Sequence, residues 1–397
     1  MLFSNLQPKP NDPILGLFDE YLANTNPKKV NLSIGLYFDE KGRLDMMTAA
    51  RKAALLLADK APVKSYLPIE GDLEYIRAVN NIVYGADNPV LAQLASVQTL
   101  AATGGLRVTA DALREFAGSK RCFVSDPTWS NHIDIFQAAG YEVYGYPYYS
   151  SSLMSFDFSQ LIADLEANLQ PCDVVLMHPV CHNPTGADLS EQQWLEVFKV
   201  INKHQAILVL DQAYLGYGKG INEDGLAVRL AAQNLEQFVH IFSCSKTFGL
   251  YGERIGHINV KCKSAEQAQI VTSNLKQLIR CSYSTNIASG ANLVKTILTT
   301  PELRQLWEEE LNSYRLRLQR NRQLLVDKLL AHGIDFSYVL QQNGFFSFLA
   351  LTKEQILRLR EEFGIYLLNT GRINFAGLNQ DNLDYVVDAI VQVKQGK

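Results

Sequence analysis

The sequence predicts an α/β protein with a mostly parallel central sheet in a large domain, plus a smaller α+β domain. Helical segments alternate with short apolar strands from residue 97 to 260, which is typical of a parallel sheet covered by helices. The chain has 397 residues, of which 47% are hydrophobic and 20% charged. This is an ordinary globular composition, and the length suffices for roughly two or three domains.

The elements follow from local patterns. Asp12 and Pro13 form a helix-start signal. Apolar residues at helical spacing predict helices at residues 12–24, 48–61, 106–116, 158–167, 266–280, 353–363 and 381–393, and one long helix at 301–332 that bridges the domains. Short runs rich in β-branched and aromatic residues predict strands at residues 30–38, 121–124, 143–147, 174–177, 206–210, 238–242, 345–349 and 373–375, with another beginning at Gln98.

Charge and hydropathy argue against several kinds of partner. The formal net charge is -4 and no basic run stands out, so nucleic acid and anionic membrane surfaces are poor candidates. No stretch reaches the ~20 apolar residues that crossing a bilayer requires, and the first residues do not resemble a secretion signal. Six cysteines without regular spacing suggest reduced thiols. We therefore expect a cytoplasmic protein.

The motif that organises the chain runs from Ser243 to Arg254. It places Lys246 among small hydroxyls directly after an apolar strand, at the edge of the sheet where ligands bind in open α/β folds. A lysine amine can form a Schiff base with an aldehyde such as pyridoxal phosphate, whose phosphate needs hydroxyls, backbone N–H groups and an arginine. Ser243, Ser245 and Arg254 offer such groups. Taken alone, the motif also fits a surface loop.

Asp211 is the second candidate. It ends the apolar run of residues 206–210, where a carboxylate faces the ligand crevice. Pyridoxal chemistry needs an anion beside the pyridinium nitrogen, because a protonated ring is the better electron sink. The alternative is a helix N-cap, a role that aspartate often fills.

A third strand end carries Asn183, in a turn that Pro184 and Gly186 make rigid. Its amide could donate a hydrogen bond to the ring oxygen of the cofactor. Cys181 with His178 and His182 could instead ligate a metal, but the sequence contains no second ligand pair at zinc spacing. The sequence therefore favours a site without a metal.

Together these pieces resemble the fold-type I pyridoxal-phosphate aminotransferases, in the group that acts on aspartate and aromatic amino acids. The resemblance covers nearly the whole chain. The runs that carry it are residues 12–17, 31–37, 66–68, 125–129, 181–186 and 243–254, and Ser347-Phe348 through Gly371-Arg372.

The resemblance implies a role for each candidate cofactor residue. Lys246 would hold pyridoxal 5'-phosphate and act as general base and acid, while Asp211 keeps the ring nitrogen protonated. Tyr214 and Asn183 would bind the ring oxygen. The phosphate would be held by Thr103, Gly104, Ser243, Ser245 and Arg254, with Tyr66 reaching across from a second subunit of a homodimer. Where relatives usually carry two glycines, this chain has Ala101 and Ala102.

Two aromatic residues near residue 130 receive roles in the same way. Trp129 would stack on the cofactor ring, and His132 would hydrogen-bond Asp211 from behind. From the sequence alone, an ordinary core residue is the favoured explanation for each, and only the resemblance reverses this.

The resemblance also implies how substrates bind. Arg372 would clamp the α-carboxylate, with Ile34 and Gly35 nearby, whereas a lone arginine is more often a surface charge. Arg280 would reach from the partner subunit to the side-chain carboxylate of aspartate or 2-oxoglutarate. The apolar Leu36, Phe38 and Leu44 favour aromatic donors. Trp129 and Asn183 would also contact the substrate. Ser284-Thr285 stands where relatives usually have a proline pair.

The predicted organisation is an N-terminal arm at residues 1–11 and a small domain at 12–44 and 313–397 that flanks the large cofactor domain at 45–312. The expected reaction is a ping-pong transamination between tyrosine, phenylalanine or aspartate and 2-oxoglutarate. The alternatives are an aspartate-specific aminotransferase, a pyridoxal lyase or decarboxylase on the same fold, and a non-enzymatic binding protein. The resemblance also implies cis bonds before Pro127 and Pro184.

Overall fold

The computed structural model describes residues 3, 6–8, 12–150 and 154–396, so most of the predicted N-terminal arm lies outside the described residues. The chain divides into two compact units. The smaller unit comprises Met1–Leu44, Arg320–Leu340 and Phe345–Lys397, and the larger unit comprises Asp45–Gln319 and Gln341–Gly344. The domain bounds predicted at residues 45 and 313 remain a prediction.

The α-helices of the described residues are α1 Pro13–Ala23, α2 Thr48–Lys60, α3 Leu73–Tyr84, α4 Ala101–Ala117, α5 Ser130–Ala138, α6 Phe158–Asn168, α7 Glu191–His204, α8 Ile221–Asp224, α9 Leu226–Asn234, α10 Cys244–Thr247, α11 Ala265–Ser282, α12 Ala288–Thr299, α13 Pro301–Ala331, α14 Lys353–Phe363 and α15 Leu383–Gln395. Among them, no helix is long and apolar enough to cross a membrane.

The strands are β1 Val30–Asn31, β2 Leu94–Leu100, β3 Arg121–Asp126, β4 Glu142–Pro147, β5 Tyr149–Ser150, β6 Ser155–Phe156, β7 Val174–Met177, β8 Ile207–Gln212, β9 Phe238–Ser243, β10 Ile255–Lys261, β11 Phe346–Phe348, β12 Ile365–Tyr366 and β13 Arg372–Asn374. The larger unit contains a seven-stranded sheet in the order β2-β10-β9-β8-β7-β3-β4. Its strands are parallel except β10, which runs antiparallel to both of its neighbours.

The central strands of this sheet are buried on both faces. Every residue of β7 and β9 is buried, as expected when helices cover both sides of a parallel sheet. Helices α4, α5 and α11 pack their apolar residues on one face. Because β7, β8 and β9 are parallel, their carboxyl ends lie at the same edge, and the polar segments that follow them meet there.

The smaller unit contains two short sheets, and Arg372 lies in one of them. Strands β11 and β13 pair antiparallel, with Phe348 opposite Arg372, and β1 pairs with β12 in parallel. The predicted strand at residues 30–38 is wrong beyond Asn31. The carbonyl oxygens of Ile34 and Leu36 accept hydrogen bonds from the side chain of Asn374, so this segment follows side-chain donors instead of a strand ladder.

Two further differences from the sequence prediction affect the site. The helix expected from residue 106 begins at Ala101, so Thr103 and Gly104 lie inside its first turn. Lys246 was placed in a loop by the sequence, but it lies in the short helix α10. The side chain of Ser243 caps α10 by accepting a hydrogen bond from the backbone N–H of Ser245, which explains the local folding.

The long helix and both unusual peptide bonds are confirmed. A single helix, α13, spans Pro301–Ala331, close to the predicted 301–332. The Asp126–Pro127 and Asn183–Pro184 bonds are cis.

Trp307 fixes α13 to the segment that follows the central sheet. Its side chain is fully buried and stacks on Phe248 with the ring centroids 4.7 Å apart. Its Nε1–H donates to the carbonyl oxygen of Thr247 at 2.8 Å, one residue after Lys246. A residue 60 positions away along the chain therefore holds the backbone of the lysine segment.

We expect Trp307→Phe to lower the free energy of unfolding by about 2 kcal/mol, because the buried Thr247 carbonyl loses its donor. Urea unfolding followed by circular dichroism measures this loss. The control is Ser313→Ala, which removes an exposed hydroxyl from the same helix. Equal stability of the Trp307 variant and the native protein would contradict the assigned role of this hydrogen bond.

Candidate active site

Lys246 projects from α10, just beyond the end of β9. Its Nζ lies 5.0 Å from the centroid of the Tyr214 ring, and Tyr214 is itself only 3% exposed. The hydroxyl of Tyr217 donates to the Lys246 carbonyl oxygen at 3.1 Å. The hydroxyl of Thr247 donates to the carbonyl oxygen of Leu215 at 3.0 Å. The segment after β8 therefore holds the lysine backbone in place.

Asp211 lies in β8, on the strand next to β9, and is 2% exposed. Its Oδ2 accepts a hydrogen bond from Nε2 of His132 at 2.9 Å. Since an ionised carboxylate can only accept, Nε2 of His132 carries the proton. The other ring nitrogen, Nδ1, lies 2.9 Å from the hydroxyl of Thr128, four residues earlier and just before α5. Thr128 therefore orients the histidine that orients Asp211.

The pKa of Asp211 reflects two opposing effects. Burial raises it, whereas the hydrogen bond from His132 and the nearby charge of Lys246 lower it. The second group prevails, so the pKa of Asp211 lies below its ordinary value of 3.8. Asp211 is thus a buried anion at neutral pH.

One oxygen of Asp211 is left for a ligand. Its Oδ1 is buried and, among the described residues, has no hydrogen-bond partner. A buried acceptor without a donor is costly, so a group bound at this edge should supply one. The protonated nitrogen of a pyridine ring is such a donor. The residues present therefore fit pyridoxal phosphate, and the helix-cap alternative for Asp211 does not explain the burial.

His132 is one of three histidines whose rings are in contact. The ring of His178 lies 5.0 Å from that of His132 and 4.8 Å from that of His182, centroid to centroid. His182 hydrogen-bonds to the hydroxyls of Ser125 at 2.8 Å and Thr185 at 2.9 Å. Burial, and then the charge of His132, lower the pKa of His178 to about 3. His178 is therefore uncharged in the folded protein at neutral pH.

In the alternative with a metal site, the ligands would be Cys181, His178 and His182. In the part of the chain that the structure describes, the potential ligand atoms that lie within 4.8 Å of one another belong instead to His132, His178 and Asp211. His132 already bonds to the carboxylate through one nitrogen and contacts Thr128 through the other. Thr128, His132 and Asp211 are therefore linked in a chain of hydrogen bonds.

Strand register brings together the residues that are predicted to bind the cofactor phosphate. Ile255 pairs with Leu100 and Gly256 with Ser243, so Arg254, the start of α4 and the Ser243 segment come together at one edge. Arg254 Nη1 lies 3.4 Å from the hydroxyl of Ser245, which is 3.2 Å from that of Ser243.

The helix start at this edge favours an anion. Helix α4 is 17 residues long, and no side chain caps its N-terminus, so the backbone N–H groups around Thr103 and Gly104 can bind an anion. The backbone is strained at Ala101. This residue has φ +54°, a left-handed conformation that favours glycine.

The remaining predicted cofactor residues lie at the same unit's sheet edge or on its surface. Asn183 is 7% exposed in the turn after β7, which a hydrogen bond from Gly186 N to the His182 carbonyl closes at 2.7 Å. Trp129 precedes α5 and meets the His132 ring edge-on at 5.2 Å. Tyr66 is 89% exposed, and Arg280 is also exposed. Their proposed partners on a second subunit remain a prediction.

The candidate carboxylate clamp belongs to the smaller unit. Arg372 is 2% exposed, so the surface-charge alternative is wrong. Its Nη2 donates to the carbonyl oxygen of Ser33 at 2.5 Å, and its guanidinium lies 4.1 Å over the ring of Phe346. Asn374 holds Ile34, beside Gly35, by a 2.6 Å hydrogen bond. A buried, oriented guanidinium of this kind suits a carboxylate.

The residues that were expected to select substrates occupy varied positions. Leu36 is half-buried and Leu44 is 48% exposed. Phe38 lines a groove of about 650 Å³ together with Phe18 and Tyr385. The preference for aromatic donors remains a prediction.

Sequence reasoning missed several supporting residues. Thr128, which hydrogen-bonds His132 from just before α5, was one of them. No local pattern links Trp307 or Tyr217 to the lysine segment, because these contacts depend on the tertiary fold.

The depressed pKa of His178 gives a pH prediction. The unfolded histidine binds a proton near pH 6.5, but the folded one does so only near pH 3, so acid favours the unfolded chain between these values. Each such histidine should cost about 1.4 kcal/mol per pH unit. We expect His178→Asn to reduce the acid-induced loss of unfolding free energy between about pH 6 and pH 4.

Unfolding titrations of the purified protein at several pH values measure this slope. The matched control is His332→Asn, which changes an exposed histidine in a turn. An unchanged slope in the His178 variant would show that this residue does not stay neutral in the folded protein.

The comparisons with known proteins all give aminotransferases, and the matches cover most or nearly all of the chain. The model of the family "Aminotransferase class I and II" matches residues 27–390. The aspartate aminotransferase of Pseudomonas aeruginosa is 41% identical over 396 residues, 99% of each chain. The aromatic-amino-acid aminotransferase of Escherichia coli is 41% identical over 399 residues, 99% of this chain and 100% of that one.

A solved structure gives the same result. The aromatic-amino-acid aminotransferase from Burkholderia pseudomallei, covalently bound to pyridoxal phosphate, superposes with a TM-score of 0.96 at 40% identity and 99% coverage of each chain. The fold class predicted from the sequence, fold-type I, is confirmed. The chain belongs to the class I and II aminotransferases.

Proposed function

We propose that this aminotransferase uses pyridoxal 5'-phosphate to exchange amino groups between tyrosine, phenylalanine or aspartate and 2-oxoglutarate, in a ping-pong reaction. The observation that carries the cofactor assignment is Asp211, a buried anion with one oxygen bound to His132 and the other buried without a donor. No structural need accounts for that arrangement, whereas a protonated pyridine nitrogen does.

The residues of this chain divide the chemical work. When bound, pyridoxal phosphate supplies an aldehyde that reacts with amines and a ring that withdraws electrons from the substrate's Cα. Asp211 keeps the ring nitrogen protonated, and His132 keeps Asp211 ionised. Lys246 Nζ removes the Cα proton as general base and returns a proton as its conjugate acid. Asn183 and Tyr214 bind the ring oxygen.

Other residues bind and orient. Arg254, Ser243, Ser245, Thr103 and Gly104 hold the phosphate, and Tyr66 of a second copy completes this set in a homodimer. The exposure of Tyr66 supports that assignment, because a tyrosine ring so open to water is available to a partner.

Substrate recognition begins at the α-carboxylate. Arg372 binds this group, with Ile34 and Gly35 beside it and with Trp129 and Asn183 contributing contacts. Burial of Arg372 supports this role, because a preordered guanidinium loses little entropy on binding. The expected products are 2-oxo acids, and the expected location is the cytoplasm.

The donor range depends on Arg280. This residue of a second copy pairs with the side-chain carboxylate of aspartate and 2-oxoglutarate, while apolar residues such as Leu36 favour aromatic rings. Burying a ring contributes ~1.5 to 3 kcal/mol, enough to offset a missing carboxylate contact. Similarity of about 41% to both an aspartate and an aromatic aminotransferase supports dual use. Aspartate specificity is the second candidate.

A panel of amino donors with 2-oxoglutarate tests the reaction. We expect turnover with tyrosine, phenylalanine and aspartate, and parallel double-reciprocal lines typical of ping-pong kinetics. Lys246→Ala should lose about a thousandfold or more in kcat, because the proton-transfer base is removed, while still binding the cofactor noncovalently. Lys203→Ala, a change of a surface lysine, is the control. A Lys246 variant with nearly normal kcat would reject the mechanism.

Arg280→Leu tests the donor range. Because a leucine cannot pair with a carboxylate, we expect kcat/KM for aspartate to fall about a hundredfold and that for phenylalanine to change little. Equal losses for the two donors would make Arg280 a structural residue. Negligible native activity with aromatic donors would favour the aspartate-specific enzyme.

A further inference from the structure

The chain makes a strained turn immediately after α11. Ser284 has φ +70°, and the backbone N–H of Thr285 donates to the carbonyl oxygen of Tyr283 at 2.8 Å. A hydrogen bond that spans a single residue with positive φ defines a γ-turn of the rare, strained kind. A serine is an uncommon residue for this conformation, which glycine adopts more easily.

The surrounding contacts hold this turn in place. The backbone N–H groups of Tyr283 and Ser284 both donate to the carbonyl oxygen of Ile279, at 3.0 and 3.1 Å. On the other side, the hydroxyl of Thr285 donates to the carbonyl oxygen of Leu67 at 2.8 Å. Strain persists only where neighbouring contacts determine the conformation, and such places are often functional.

A second anchor ties the same segment to the loop that carries Tyr66. The side-chain amide of Asn286 donates to the carbonyl oxygen of Ile69 at 3.0 Å, and Asn286 is 7% exposed. The turn is thus fixed to the helix before it and to the Tyr66 loop. Ser284, between these anchors, has a defined position although its side chain is exposed.

The turn places the Ser284 hydroxyl against Arg280. Nη1 of Arg280 donates a hydrogen bond to Oγ of Ser284, four residues later. Arg280 is itself exposed at the last turn of α11. The guanidinium of Arg280 therefore contacts an acceptor that the strained turn holds in place.

We infer that Ser284 is a specificity-determining residue, because its hydroxyl competes with a substrate's side-chain carboxylate for the guanidinium of Arg280. The inference rests on the role of Arg280 in the proposed function. A carboxylate is a stronger acceptor than a hydroxyl, so dicarboxylic substrates displace Ser284, but they bind less tightly for having to do so. An aromatic side chain leaves the Arg280–Ser284 contact intact. Ser284 thus raises the kcat/KM for aromatic donors relative to that for aspartate.

The test compares Ser284→Ala and Ser284→Gly in the holoenzyme. Both variants remove the hydroxyl, and the glycine variant also relieves the backbone strain. If one variant folds poorly, the other still measures the effect of losing the hydroxyl. We expect kcat/KM for aspartate and the affinity for succinate to rise about threefold to tenfold, the worth of one exposed hydrogen bond. Values for phenylalanine and for 3-phenylpropanoate, which cannot react, should stay unchanged.

The matched control is Ser282→Ala. The Ser282 hydroxyl lies at the same helix end but donates to the carbonyl oxygen of Leu278 at 2.8 Å. This variant should alter neither class of ligand. Equal changes for aspartate and phenylalanine in the Ser284 variants, or a fall in succinate affinity, would overturn the inference.

A double-mutant cycle with Arg280→Leu separates this inference from the proposed function. If Ser284 acts through Arg280, then Ser284→Ala has no effect on succinate affinity once Arg280 is leucine. If Arg280→Leu weakens succinate but Ser284→Ala changes nothing in the native background, the inference about Ser284 fails by itself. If Arg280→Leu leaves succinate affinity unchanged, the proposed role of Arg280 fails, and the inference fails with it.

Discussion

The hydrogen bond between His132 and Asp211 is the interaction on which the rest of the site depends. A carboxylate that is 2% exposed would ordinarily take up a proton, because burial disfavours its charge. One well-placed N–H bond and the nearby positive groups reverse this preference. The carboxylate fixes the proton on Nε2 of His132, Thr128 hydrogen-bonds the other nitrogen of that ring, and the neutral His178 and His182 rings lie beside it without a competing charge. The chemistry at the sheet edge begins with this buried anion.

The two compact units contribute different kinds of recognition. In the larger unit, parallel strands align Asp211 and Lys246 at neighbouring strand ends, and strand register adds Arg254 and the start of α4. In the smaller unit, Arg372 is held between a backbone carbonyl and the face of Phe346. Each set is ordered by contacts within its own unit. Neither set needs a bound ligand to position its side chains.

The sequence predicted the parts of the fold that depend on local patterns. The strand of residues 174–177 and the helix of residues 353–363 occur at the predicted bounds, because apolar periodicity and capping residues mark them clearly. The segment after Asn31 could not be predicted, since its backbone bonds to distant side chains such as Asn374. The early start of α4 at Ala101 depends on a left-handed residue that is not a glycine. The candidate site residues could be predicted because polar groups follow the strands. The hydrogen bonds that Tyr217 and Trp307 donate to the lysine segment could not, because these contacts form only in the tertiary fold.

The position of β10 in the sheet affects how the protein can be made. β2 ends at Leu100 and lies at the sheet edge beside β10, which begins only at Ile255. On the ribosome, β2 therefore emerges long before the strand that it pairs with has been synthesised. The first turn of α4 and Arg254, which adjoin this pairing, cannot come together until β10 has left the exit tunnel. Such a distant pairing slows folding and leaves an apolar edge exposed in the nascent chain, where chaperones would act.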